Sequence, residues 1–250
     1  QATKTNTMQI QLEQTGKKYN REWIFRGLSH TFMAGKKYAI TGPNGSGKST
    51  LLQTISGSTA LSEGRILYSV AGNELAPENA FTQLSICAPY LTLIEEMTAL
   101  EFLAFHESFK CFMPGITPDT ALEIIGLMTA ANKQIRYFSS GMKQRIKLAQ
   151  AIFSDVPVLF LDEPTVGVDV QSRNAIIDYL KVLNQNGTTI IYTSHHLAEA
   201  EDFCSTIAII DRGQIYTKGT PSTLIDSVKD ARNLEDVFIS LTGKDLRDAI

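Results

Sequence analysis

No apolar run in this chain approaches the roughly 18 residues that a membrane-spanning helix requires, so no single segment reads as a transmembrane span. No N-terminal stretch has the basic, apolar and small-residue order of a secretory signal. Basic residues are not in excess: 23 Lys and Arg stand against 26 Asp and Glu, a formal net charge of −3. That balance argues against a basic face, and no nucleic-acid partner is expected. Cysteine is scarce. Cys87, Cys111 and Cys204 are odd in number and share no ligand spacing, which excludes a disulfide framework and a cysteine metal cluster and leaves reduced thiols. No internal repeat or low-complexity tract is present. What remains is ordinary globular composition, 43% hydrophobic and 20% charged over 250 residues, enough for one large domain or a domain with an inserted lobe. The chain is expected to be soluble and cytosolic. Residues 1–7 are polar and aperiodic and are expected to be a remnant or a disordered arm before Met8.

Against these absences one stretch stands out, Gly42-Pro43-Asn44-Gly45-Ser46-Gly47-Lys48-Ser49-Thr50. It satisfies the phosphate-loop pattern, two glycines with four residues between them followed by Lys and a hydroxyl residue. Lys37 to Thr41 reads as a buried strand before it, and Ser49 to Ile55 as a short helix after it, ended by Gly57. Gly42, Gly45 and Gly47 permit backbone geometry in which successive N–H groups face a phosphate. Lys48 can reach β- and γ-phosphates, and the Ser49 hydroxyl can ligate Mg²⁺. A chance glycine turn would lack the flanking strand and helix. The loop predicts a nucleoside triphosphate site.

Around it the chain opens as a β-rich layer. Gln9 to Glu13 alternates polar and apolar, and Trp23-Ile24-Phe25, Leu28 to Phe32 and Gly64 to Tyr68 read as further strands, with Gly16, Gly27 and Gly35 marking turns. From about Leu91 to Gln150 the texture is helical. Thr98 to Phe109 is one helix; after Pro114, Gly115 and Pro118 a second runs from Asp119 to Ala131, capped by Thr117 or Asp119. Val156 to Leu161 is then a near-continuous apolar run, as expected of a parallel strand buried on both faces. Helix over Asn174–Asn184, strand over Thr188–Thr193, helix over Leu197–Phe203 and strand over Ile207–Ile210 complete an alternation that predicts a parallel sheet. Leu234, Val237, Phe238 and Leu241 fit an amphipathic C-terminal helix packed on the core.

Asp162 and Glu163 end the buried run, where ligands sit in open parallel sheets. One carboxylate there can hold Mg²⁺ and the other can orient and deprotonate a water. By themselves the two could equally open a solvated loop; beside a phosphate loop the catalytic reading gains. His195 and His196 end the next buried strand at the same sheet edge, where one imidazole can contact a γ-phosphate, and the residues alone leave open which one. Ser139, Ser140 and Gly141 open a helix over Met142–Phe153 whose N-terminal amides form an anion site. A merely capped helix, with Ser139 or Ser140 as cap, accounts for that pattern too.

These pieces together resemble the nucleotide-binding subunit of an ABC transporter, exporter-like, over nearly the whole chain. The resemblance implies an α/β fold: a P-loop NTPase (RecA-like) mixed sheet core with an antiparallel β subdomain and an inserted α-helical subdomain. It divides an ATP-binding domain, residues 8–243, into a core of 8–90 and 151–220 and a helical subdomain of 91–150, with a helical tail at 221–250. Phe138-Ser139-Ser140-Gly141-Met142 occupies the place of the Leu-Ser-Gly-Gly-Gln signature. By resemblance Tyr19 stacks on adenine, Asp162 with Ser49 holds Mg²⁺, Glu163 is the catalytic base and His195 the switch histidine. Asp169 belongs to the loop after the carboxylates, and Ser139 to Gly141 face the ATP of a partner subunit. The family carries Gln at the metal, and by resemblance this chain departs from it: Ile86 to Tyr90 sets Tyr90 there, a poorer metal ligand, which bears on hydrolysis and coupling and not on binding. The implied cofactors are ATP and Mg²⁺. The implied partners are a membrane-spanning permease and a second ATP-binding subunit, identical or not, with the chain on the inner face of the membrane through the permease. The C-terminal run Leu234–Gly243 resembles tails of exporter ATPases. A non-transport ABC ATPase would carry a coiled-coil insertion, a second cassette or basic surfaces, none of which is present, and a regulatory module without turnover has only Tyr90 in its favour.

Overall fold

The computed structural model describes residues 7–168 and 170–243. Alternating apolar residues at the start of the chain build a four-stranded antiparallel sheet in the order β2-β1-β4-β5: β1 Met8–Tyr19, β2 Glu22–Phe32, β4 Glu63–Val70 and β5 Asn73–Leu75. The expected turns at Gly16 and Gly27 are not turns. Both glycines lie inside strands, where the β1–β2 register shifts between Leu12 and Thr15 and again before Lys17, so the extra residues are absorbed as bulges and the two segments of β2 are one strand. Gly35 does lie in a turn.

A second sheet has six strands in the order β10-β9-β3-β8-β7-β6. Strands β3 (Lys37–Thr41), β6 (Leu84–Cys87), β7 (Val158–Asp162), β8 (Thr189–Ser194) and β9 (Thr206–Asp211) are parallel, and β10 (Gln214–Gly219) pairs antiparallel with β9. The sheet is therefore mixed at one edge. Both of its faces are covered, which is why β7 and β8 read as unbroken apolar runs. Val158 and Phe160 of β7, Ile191 of β8 and Tyr38 and Ile40 of β3 meet Leu51, Leu52 and Ile55 of helix α1 (Lys48–Ile55) and the antiparallel sheet in one core. Leu159, Leu161, Ile190 and Tyr192 face the other way, into a core shared with the helices.

Those helices are α3 (Ala99–Phe109), α4 (Pro118–Ile124), α5 (Ser140–Ile152), α6 (Val170–Gln185), α7 (Leu197–Phe203), α8 (Pro221–Asp226) and α9 (Leu234–Thr242), whereas the short α2 (Pro77–Ala80) buries Ala80 in the first core. Thr98 and Glu101 form a reciprocal capping box at α3, and Thr117, not Asp119, caps α4 with Pro118 in its first turn. The second lobe helix is shorter than its periodicity suggests: α4 stops at Ile124, Gly126 turns at φ +66°, and only a 3₁₀ turn, Met128–Ala130, follows. In α9, Leu234, Val237 and Phe238 are buried as expected, whereas Leu241 is exposed. Among the described residues no helix is long and apolar enough to cross a membrane.

Candidate active site

Strand β3 delivers the chain into the phosphate loop at Thr41, and α1 begins at Lys48. Two glycines here are obligatory. Gly42 has φ +156°, and a Cβ on it would stand 2.0 Å from the Ile210 carbonyl oxygen of β9. Gly47, the N-cap residue, has φ +100°, and its Cβ would press on Ile24. No side chain caps α1, so its first amides are free to meet an anion. Asn44 and Gly45 form the exposed tip, while Pro43 is partly covered. The Ser46 hydroxyl is buried with no hydrogen-bond partner among the described residues, an unmet polar group inside the loop. Thr50 lies one position beyond Ser49, and its carbonyl accepts from the Thr54 hydroxyl at 2.5 Å.

The Lys48 ammonium is 5% exposed and donates to the carbonyls of Gly42 (2.9 Å) and Pro43 (3.0 Å). Its Nζ is 3.8 Å from Glu163 Oε1. Burial pushes its pKa down, while Glu163 and then Asp162 oppose that shift. Asp162, at the end of β7, accepts at Oδ1 from Ser49 Oγ (3.1 Å) and from Thr193 Oγ1 (2.5 Å). Burial raises its carboxyl pKa, the two hydroxyls and Lys48 lower it, and Glu163 adds to the rise. A hydroxyl and one carboxylate suit Mg²⁺, which completes its shell with water and substrate phosphates rather than a protein cage. No cluster of three or more His, Cys, Asp or Glu able to hold a metal occurs among the described residues. The Tyr90 hydroxyl is pushed well above the usual phenol range, by burial first and then by Asp162 and Cys87, so it remains a neutral phenol.

Glu163 has a left-handed backbone, φ +47°, costly for a residue with a side chain. Its amide is held from β8, donating to Thr193 O (3.2 Å) and Thr193 Oγ1 (3.1 Å). Its Oε1 lies 3.3 Å from His195 Nδ1, close in distance but not aligned as a hydrogen bond, and that buried nitrogen has no hydrogen bond among the described residues. Of the two histidines, His195 is the one whose ring stands beside Glu163. His196 stacks against it at 4.1 Å, with its own pKa lowered by burial first and then by His195 and Arg173. Thr193 was invisible as a site residue in the sequence, its one signal being a hydroxyl at the end of an otherwise apolar run.

At α5, Phe138 is buried as an anchor, and Ser139 is the N-cap, its Oγ accepting from the Met142 amide at 3.3 Å. Ser139 and Ser140 are exposed, and a Cβ on Gly141 would meet nothing within 4 Å. Among the described residues no hydrogen bond or ion pair joins Ser139, Ser140 or Gly141 to residues 42–50, Asp162, Glu163 or His195. Tyr19 ends β1 and is 46% exposed, with Lys17 Nζ 4.8 Å from its ring centre. Asp169 lies outside the described residues.

Comparison with known proteins follows the same lines. A family model described as ABC transporter matches residues 25–166. The linearmycin resistance ATP-binding protein LnrL of Bacillus subtilis (strain 168) is 36% identical over 245 residues, 96% of this chain and 76% of that protein. The Nod factor export ATP-binding protein I of Rhizobium johnstonii is 33% identical over 220 residues, 87% of this chain and 71% of that protein. A solved dimeric ATP-binding cassette, in a post-hydrolysis state bound to ADP and Pi, superposes with a TM-score of 0.74 at 24% identity, over 84% of this chain and 98% of its own.

Proposed function

The chain belongs to the ABC transporter family, and on that premise we propose that it is the ATP-binding and ATP-hydrolysing subunit that drives a separate membrane-spanning permease in export. The observation that carries the hydrolytic part is the Glu163 carboxylate, held at the sheet edge between Lys48 and His195. Water attacks the γ-phosphorus in line. Glu163 accepts its proton, Lys48 and the amides of residues 45–50 stabilise the charge spreading over the phosphate oxygens, and His195 contacts the γ-phosphate. Bound Mg²⁺ would neutralise charge across the β- and γ-phosphates. Ser49 and Asp162 are the residues whose oxygens fit it, with Tyr90 a weaker third. Tyr19 takes the adenine on its exposed ring.

Ser139, Ser140 and Gly141 have no such role within one chain, and their exposure at the start of α5 suits the ATP of a second subunit, with Asp169 in the loop that would face it. The division into a core of 8–90 and 151–220, a helical subdomain of 91–150 and a tail from 221 belongs to the same reading. So does a place at the inner face of the cell membrane through the permease. Export rests on the names of the relatives, one an export protein and one a resistance protein. A regulatory module that binds ATP without turnover is supported only by Tyr90.

Phosphate release under Mg-ATP tests the reading. Glu163→Gln is expected to lower kcat by at least about 10²-fold, the usual size of a general-base contribution, while a fluorescent ATP analogue still binds. Wild-type turnover in that variant removes Glu163 as the base.

A further inference from the structure

Glu199 lies in the first turn of α7, four residues after His195, and its carboxylate serves none of the roles above. It is nevertheless a junction. Thr165, two residues after Glu163 and 2% exposed, donates its hydroxyl to Glu199 Oε1 at 3.1 Å and Oε2 at 3.3 Å. The hydroxyl of Tyr192, fully buried in β8, donates to Glu199 Oε1 as well, and Arg173 Nε of α6 stands 3.9 Å from Oε2. That Arg173 nitrogen is itself buried and has no hydrogen bond, so the ion pair is its sole partner among the described residues. Burial raises the Glu199 carboxyl pKa, and Thr165 and Arg173 act against the rise.

These contacts close a ring. From Glu163 the chain passes through Pro164 to Thr165, across to Glu199, back through the start of α7 to His195, and across 3.3 Å to Glu163 again. Within the ring the backbone is tight: the Val166 amide donates to Glu163 O and the Val168 amide to Thr165 O, both at 3.2 Å. A left-handed Glu163 persists only where its surroundings over-determine it. Thr193 holds it from the strand side, and on the loop side the only side-chain tether among the described residues runs through Thr165. We propose that Glu199 is a positioning residue for ATP hydrolysis, fixing the loop that carries Glu163 to the helix start that carries His195. The proposal rests on the hydrolytic reading above and adds to it a residue that touches neither nucleotide nor water.

The test compares Glu199→Ala, Glu199→Gln, Thr165→Val and the double variant Thr165→Val/Glu199→Ala in the full chain. Glu199→Ala is expected to lower kcat on the order of tenfold to a hundredfold, the scale of a misplaced reacting group, with ATP affinity held within about twofold. Glu199→Gln keeps an acceptor for both hydroxyls and is expected to recover most of the turnover. The double variant should be no worse than Glu199→Ala alone, because both changes cut one tether. Additive losses, or a raised KM at unchanged kcat, overturn the proposal. Amide hydrogen exchange supplies a readout independent of turnover. The amides of Glu163, Val166 and Val168 should exchange faster in Glu199→Ala, and in Thr165→Val if Glu199→Ala does not fold, while those of β3 stay as in the parent. Unchanged exchange over 163–168 overturns the ring. A parent chain with no turnover defeats the hydrolytic reading instead, and the exchange result still decides whether Glu199 holds the loop.

Discussion

Thr193 reaches both acidic residues of the site at once: its hydroxyl donates to the Asp162 carboxylate at Oδ1 (2.5 Å) and accepts from the Glu163 backbone amide at 3.1 Å. The register that pairs Asp162 with Thr193 across β7 and β8 sets this up. Thr193→Val keeps the shape and removes the hydroxyl. A hydrogen bond to a charged group contributes about 1.5–3 kcal/mol, so unfolding in urea should show a loss of that order. Turnover should also require more Mg²⁺, since Asp162 loses one of its two orienting donors. A variant as stable as the parent, with the same Mg²⁺ dependence, would remove Thr193 from the site.

Gly42 and Gly45 both have positive φ, yet they should respond differently to alanine. At Gly42 the new Cβ meets the Ile210 carbonyl at 2.0 Å, whereas at Gly45 it meets nothing within 4 Å. Gly45→Ala should cost only the left-handed backbone term, about 1–2 kcal/mol, and leave nucleotide binding in place. Gly42→Ala must also displace β9 or the loop and should abolish binding of a fluorescent ATP analogue. Equal behaviour of the two variants contradicts the packing described here.

Asp162→Asn should stabilise the nucleotide-free protein while disabling it. The folded carboxyl has its pKa raised, chiefly by burial, so wild-type stability is greatest where the group is protonated and declines as pH rises through the folded value. The asparagine variant does not titrate and can still accept from Ser49 and Thr193. Its advantage is therefore full at neutral pH and shrinks as pH falls through the raised value toward the ordinary aspartate range. Denaturation midpoints between pH 7 and pH 4 measure this, and an advantage that grows on acidification reverses the sign argued here.

Ser139 caps α5, and the same hydroxyl is proposed to meet a partner's ATP. Aspartate separates the two roles, because it caps a helix as well as serine but places a negative charge against phosphate. In a Glu163→Gln background, light scattering with Mg-ATP should report a rise from the 27.5 kDa of one chain to a dimer. Adding Ser139→Asp should abolish that rise at unchanged thermal stability. Dimers that form regardless would make Ser139 a cap and nothing more.

The fold and half of the site were legible along the chain because their signals are local. The phosphate loop is a contiguous pattern, and the burial of β7 and β8 on both faces shows as apolar runs. The misreadings have equally local causes. Gly16 and Gly27 look like turn residues, but strand pairing on both sides of β1 absorbs them as bulges. The apolar spacing through Ala131 continues a helix that Gly126 ends.

By itself, then, the sequence determined that Gly42 to Thr50 is a glycine-rich loop between a buried strand and a helix, that Asp162 and Glu163 end a buried strand, and that two histidines reach the same edge. Which histidine meets Glu163, that Thr193 holds the Asp162 carboxylate and the Glu163 backbone, and that Glu199 reaches Thr165 were decided only in the folded chain. Loop and strand patterns depend on neighbours a few residues apart. Those pairings join residues 30 or more apart in the chain, at 3 Å or so, through the parallel register of β7 and β8 and the angle at which α7 leaves the sheet.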